Sequence, residues 1–204
     1  LNFKFISKIK FIKKKNSILC KVISPGKIEN NKGVHIQNRK LKISYLTNKD
    51  FGAISIGKEF KINHYALSFT DSIDDILKFN KLLKSENKIF KIETANAVRN
   101  FKFFLKKGNY FLIDRGDLSK DVKVENIPIA QRNLFRLKKA FKKKKIYVAT
   151  NLLESMLKNS YPNRGEANDV FNSLEMGAAG LVLAAETAIG DYPEDAVIFL
   201  QKMI

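Results

Sequence analysis

Three places in the sequence carry residue types suited to chemistry. Lys91 and Glu93 flank Ile92 at the end of an apolar run. In a strand, side chains two apart share a face, so an ammonium and a carboxylate would enter one pocket. That pair suits a metal-bound, phosphorylated substrate, and it equally suits a plain salt bridge. Asp114-Arg115-Gly116-Asp117-Leu118 directly follows a second apolar run. Gly116 allows a tight turn and a close approach of the backbone to a ligand. Exposed N–H groups there could bind an anion, with Asp117 holding a cation beside it; an ordinary polar turn has the same composition. Thr150 closes a third apolar run.

The elements that must position these groups follow from the hydrophobic period. Short apolar strands are predicted at 64–69, 89–92, 110–113, 146–149 and 181–184. Helices are predicted between them, over about 48–57, 71–83, 95–107, 128–143, 151–158 and 164–176, with a last one from Pro193. Alternating apolar strands and helices imply a parallel sheet buried on both faces, which an open doubly wound sheet or a closed barrel would satisfy. Polar groups stand at the carboxyl end of nearly every strand: Ser68, Lys91 and Glu93, Asp114 to Asp117, Thr150, and Glu186 with Thr187. That distribution favours the barrel. The expected fold is α/β, a partial (β/α)8 barrel of about five βα units over 34–204, preceded by a small β-hairpin segment over 1–33. In the latter, Phe3 to Ile12 and Ile18 to Ile23 form two runs separated by a turn at Lys14 to Ser17, with further turn signals at Ser24-Pro25-Gly26 and Asn30 to Gly33.

Composition limits the function classes. The 204 residues, 45% hydrophobic with 16 Phe, describe a packed globular chain. No run approaches the ~20 apolar residues needed to span a bilayer, and lysines interrupt the N-terminal apolar stretch where a secretory signal would be continuous. Cys20 is the single cysteine, which excludes an internal disulfide and fits a reducing, cytoplasmic setting. The net charge of +18 invites a nucleic-acid reading. The lysines are dispersed, however, and the densest run, Lys142 to Lys145, is expected at a helix end where cations suit the dipole. Nucleic acid and membrane are therefore not the expected partners. The start at Leu1 and the end inside a helix lead us to expect a fragment or a short form.

Taken in order, the motifs resemble pyruvate kinase. That family carries a lysine–hydrophobic–glutamate strand end, here Lys91-Ile92-Glu93, then an alanine-arginine-glycine-aspartate-leucine turn, here matched from Arg115 to Leu118. Ala149-Thr150-Asn151-Leu152-Leu153-Glu154-Ser155-Met156 follows, then Pro162-Asn163-Arg164-Gly165-Glu166 with Asp169-Val170, Glu186-Thr187-Ala188, and Gly190-Asp191-Tyr192-Pro193. Lys32-Gly33-Val34 and Ala66-Leu67-Ser68-Phe69 fit earlier segments, so the resemblance runs from about residue 15 to 204.

The resemblance implies barrel strands four to eight, preceded by the returning half of the family's inserted β domain. It implies phosphoryl transfer from phosphoenolpyruvate to ADP, giving pyruvate and ATP in glycolysis. Lys91 would stabilise the moving phosphoryl group. Glu93 and Asp117 would hold Mg²⁺ or Mn²⁺. Arg115, Gly116, Asp117 and Thr150 would contact substrate, and Thr150 would serve the enolate proton. The ligands of K⁺ would lie outside this chain. A homo-oligomer or a complementing chain is the expected assembly. Arg164, Glu166, Asp169 and Glu186 are expected to be structural, and neither His35 nor His64 has partners at ligand spacing. The sequence departs from the pattern at Asp114 for alanine, Asn151 for glutamine, Ala184-Ala185 for serine-glycine, Thr70 for a common arginine, and Gly165 for alanine. An added carboxylate beside Asp117 requires a metal or Arg115 to compensate it. A non-catalytic module of the same family, or another Mg²⁺–enolate barrel enzyme such as an aldolase or lyase, would share many of these features.

Overall fold

The computed structural model describes residues 7–14, 17–23 and 44–204. The turn at 15–16, Lys32-Gly33-Val34 and His35 lie outside the described residues. The chain divides into two compact units, Leu1–Arg39 and Lys40–Ile204. The first contains β1 (Ser7–Lys14) and β2 (Ser17–Val22), paired antiparallel with Ile9 opposite Cys20 and Lys14 opposite Ser17.

The second unit is built on β3 (His64–Leu67), β4 (Asn87–Ile92), β5 (Tyr110–Asp114), β6 (Lys145–Ala149) and β7 (Gly180–Val182). They form one parallel sheet of five strands in the order β3-β4-β5-β6-β7. Each expected strand is present, with ends shifted by up to two residues. Helices α1 (Asn48–Glu59), α2 (Ile73–Leu82), α3 (Ala95–Phe104), α4 (Arg115–Leu118), α5 (Ile127–Lys138), α6 (Arg164–Glu175), α7 (Ala185–Ala188) and α8 (Pro193–Met203) precede, link or follow them. Right-handed crossovers that always step the same way place the linking helices on one face of the sheet, and α2 packs on α3 and α3 on α5 there. That progression belongs to a barrel, whereas a doubly wound sheet reverses direction at a switch point.

Register fixes the core. Leu67, Phe90, Phe111 and Ile146 stand side by side across four strands. One pleat further on, Ile92, Ile113 and Val148 form a second row. All seven are buried. Phe101 of α3 meets Phe111 edge-on, with ring centroids 5.0 Å apart. Lys91, Leu112 and Tyr147 point to the other face and are only half-buried. Gly108, where the α3 segment stops, has no room for a side chain: a Cβ there would lie 2.7 Å from the Phe111 ring and 2.9 Å from that of Phe90.

Local signals set the helix starts. Thr47 with Asp50, Ser72 with Asp75, and Asn163 with Glu166 form reciprocal capping boxes for α1, α2 and α6. Gly177, at φ +92°, follows the end of α6. Two expectations change. The helix expected over 128–143 ends at Lys138, and the lysine run lies beyond it, with Lys145 opening β6. Continuation would have stacked Lys138 on Lys142 and Lys139 on Lys143, like charges four apart. Second, the helix expected over 151–158 is a single 3-10 turn, Glu154–Leu157. Before it, Thr150 and Asn151 take left-handed angles, φ +68° and +52°. Among the described residues no helix is long and apolar enough to cross a membrane.

Candidate active site

The chemical groups meet at the carboxyl ends of three neighbouring strands. Lys91 lies one residue before the end of β4 and Glu93 one residue after it. Asp114 is the last residue of β5 and also caps α4, while Thr150 follows the last residue of β6. The pairing of Asp114 with Ala149 brings the last two ends level.

Lys91 is the resident cation. Its Nζ lies 2.6 Å from Glu93 Oε1 and 3.0 Å from Asp114 Oδ2. Burial alone would lower the pKa of this ammonium, but hydrogen bonds and charges from Glu93 and Asp114 outweigh it and hold the group above its ordinary value. Glu93 is more deeply enclosed, with a side chain fully shielded from solvent. Burial pushes its carboxyl above the usual range, and the nearby Asp114 charge adds to this. The Lys91 contact and the Phe69 N–H, which donates to Oε2, pull the other way without prevailing. The ion pair is therefore asymmetric: its attraction governs Lys91, and desolvation governs Glu93.

Asp114 ties the ends together. Its Oδ1 accepts from the Asp117 N–H at 3.3 Å and from the Thr150 hydroxyl at 3.1 Å, while Oδ2 faces Lys91. The Gly116 N–H donates to Thr150 Oγ1 at 2.8 Å. The two amides expected to receive a substrate carboxylate are thus occupied by side chains of this chain. Asp117 carries an ion pair with the half-exposed Lys120. One oxygen each of Glu93, Asp114 and Asp117 lies within 4.8 Å of the others. Three hard carboxylate donors converging from two strand ends suit Mg²⁺ or Mn²⁺.

Arg115, expected among the substrate contacts, directs its guanidinium elsewhere. Nε and Nη2 donate to the Thr150 carbonyl at 3.1 and 2.8 Å, Nη2 also to that of Asn151 at 2.8 Å, and Nη1 to Asp169 of α6. The planar fork holds two consecutive left-handed residues in place, because its donors fit two carbonyls and a carboxylate at once. The charge that compensates Asp114 is therefore Lys91, not Arg115. Strand pairing makes this possible: Lys91 stands opposite Leu112, two residues before Asp114, so Lys91 and Asp114 share a face of the sheet.

The remaining expectations fall as follows. Glu166 caps α6 and also accepts from the Ser155 N–H and hydroxyl. Buried Glu186 accepts from the amides of Leu153 and Ala184. Both carboxylates serve the backbone, as does Asp169 through Arg115. Thr70 is buried, its hydroxyl on the Leu67 carbonyl. His64 is exposed beside Asn87, away from the acidic cluster. A polar cleft of about 250 Å³ lies at the opposite, amino ends of β4 and β5, lined by Lys88, Lys107 and Tyr110 among others, and takes in none of the groups above.

A parallel sheet wound in one direction, with its polar groups gathered at adjacent carboxyl ends, defines a chain of the (β/α)-barrel class. The chain belongs to the pyruvate kinase family: the family model for the pyruvate kinase barrel domain matches residues 4–197. It is 35% identical over 182 residues to a pyruvate kinase of Thermotoga maritima, covering 87% of this chain and 39% of that protein. It is 33% identical over 192 residues to one of Clostridium perfringens, with 91% and 40% covered. Against a pyruvate kinase of Dictyostelium discoideum the identity is 34% over 195 residues, with 94% and 38% covered. The chain thus spans about two fifths of the length of these relatives.

Proposed function

We propose that this chain supplies the phosphoryl-transfer part of a cytoplasmic, glycolytic pyruvate kinase, acting on phosphoenolpyruvate and ADP. The observation that carries the reading is the meeting of Lys91, Glu93, Asp117 and Thr150 around Asp114, at the carboxyl ends of β4, β5 and β6. Lys91 places a positive charge where a phosphoryl group leaves one oxygen for another. Phosphoryl transfer depends on positioning and charge neutralisation, and a half-buried ammonium with an elevated pKa stays charged for it. Glu93 and Asp117 would hold Mg²⁺ or Mn²⁺, which when bound neutralises charge on phosphate and enolate oxygens. The amides of Gly116 and Asp117 would receive the substrate carboxylate once Thr150 and Asp114 release them. Thr150 Oγ1, already in a hydrogen-bonded chain with Asp114, would position the enolate proton. Arg115 serves substrate binding through the loop it holds, not by direct contact. K⁺, if used, would be bound by residues of other segments. The hairpin unit is read as the returning part of the family's inserted β domain, with the boundary near residue 33. Assembly is proposed as a homo-oligomer or with a complementing chain.

The test is to supply barrel strands one to three from a relative in a second polypeptide and to assay pyruvate formation from phosphoenolpyruvate and ADP. Activity should appear with Mg²⁺ and fall by at least about a thousandfold in Glu93→Ala. Equal turnover in that variant would overturn the assignment of Glu93. A second reading, a non-catalytic member of the family, is favoured by one observation: both carboxylate-receiving amides are occupied by the chain's own side chains. It predicts a folded complex with no metal-dependent turnover.

A further inference from the structure

One position that departs from the family motif joins three groups of the site. Alanine is the family residue where this chain has Asp114, and Asp114 touches Lys91, Thr150 and the Asp117 amide together. Its two oxygens do different work. Oδ1 is oriented by the Asp117 N–H and by Thr150 Oγ1 at 3.1 Å, whose one proton is shared with the Ala149 carbonyl at 2.6 Å. Oδ2 faces the Lys91 ammonium, and it turns toward the space shared with Glu93. Hydrogen bonds that fix one oxygen while leaving the other for a cation are what orients a ligating carboxylate.

We propose that Asp114 is a third protein ligand of the divalent cation, so that this chain binds Mg²⁺ or Mn²⁺ through Glu93, Asp114 and Asp117 before any anionic substrate arrives. The inference rests on reading the Glu93–Asp117 pair as the metal site. In an octahedral Mg²⁺ shell with bonds of ~2.1 Å, ligand oxygens stand about 3.0 to 4.2 Å apart. The three carboxylates present oxygens within 4.8 Å of one another, so a trans pair at that limit would close by about 0.6 Å and a cis pair by about 1.8 Å. Lys91, which bridges Glu93 and Asp114, must turn away to admit the ion; its half-buried stem points to the open face of the sheet, where a phosphoryl group would meet it. Lys120 must release Asp117, and it is half exposed.

The consequence concerns specificity. With the Lys91 ammonium counted, two carboxylates leave the metal-loaded site net positive and ready for an anionic ligand. A third makes it formally neutral and also keeps the Asp117 amide occupied. This chain should therefore hold the bare metal more tightly, and gain less from an enolate-like anion, than it would with the family's alanine.

Mn²⁺ binding to this chain and to Asp114→Asn, Asp114→Ala and Glu93→Ala, followed by electron paramagnetic resonance with and without oxalate, decides the matter. Asp114→Asn keeps an oxygen for the Asp117 amide and for Thr150, so it guards against misfolding; thermal melts identify the folded variants. Removing the Asp114 charge should weaken Mn²⁺ binding without oxalate by at least about tenfold and enlarge the enhancement that oxalate gives. An Asp114→Asn affinity within twofold of the native chain overturns the proposal. If Glu93→Ala still loses Mn²⁺ in that case, the metal-site reading stands without it. If Glu93→Ala binds as the native chain does, or the native chain binds no Mn²⁺, both fail.

Discussion

Glu93 shows how a single buried carboxyl couples stability to chemistry. Burial raises its pKa above the ordinary 4.5, against the pull of Lys91 and the Phe69 amide. A group raised on folding contributes stability that is fully present below its unfolded value and lost as pH rises through its folded value. Ionisation of Glu93 therefore works against the fold. Measured by urea melts, the native chain should lose stability relative to Glu93→Gln as pH is raised from about 4.5 to 7; a constant difference would show that burial does not govern the group. The conflict is of the kind expected at a functional position. At this scale the sequence was legible where side-chain period alone decides. The two-residue spacing put Lys91 and Glu93 together, and the ion pair is there. It was not legible where a partner comes from another strand. Arg115 adjoins Asp114 in sequence and was the natural candidate to neutralise it, yet Lys91 does so because strand pairing brings the two ends level.

Among the elements, strands and caps were readable and the site loop was not. Apolar runs of four to six residues between turn signals gave the five strands, because strands buried on both faces leave few alternatives. Thr47 and Asp50, three apart as a capping box requires, mark the start of α1. The segment after β6 reads as helical by composition, but Arg115 holds Thr150 and Asn151 left-handed through their carbonyls, and helix begins only after that turn. Consecutive left-handed residues that are not glycine cost of the order of 1 kcal/mol each, so the guanidinium must offset them. Arg115→Met should destabilise the fold by about 2–3 kcal/mol in urea melts, the range for lost charge-assisted hydrogen bonds. Asp169→Asn, at a more exposed partner, should cost under about 1 kcal/mol. Similar losses in the two variants would place the energy in the ion pair with α6 and not in the loop.

For the whole molecule, the one-way progression of βα units was implied by the polar strand ends, whereas the packing of each helix was not, since period gives a face and not a neighbour. The net charge of +18 over 204 residues also acts at this scale. Like charges on a compact body repel, and salt screens them over a length of about 10 Å at 0.1 M. The melting temperature should rise by several degrees between about 0.02 and 0.3 M NaCl; a fall would mean that the ion pairs at the strand ends outweigh the general repulsion. Phe69 offers something of practical use. Its backbone amide donates to Glu93 while the residue is 56% exposed, at φ +50°. The sequence contains no tryptophan, so an indole exchanged for that ring would be the molecule's sole long-wavelength fluorophore, sitting on the residue that holds Glu93 and emitting against a dark background.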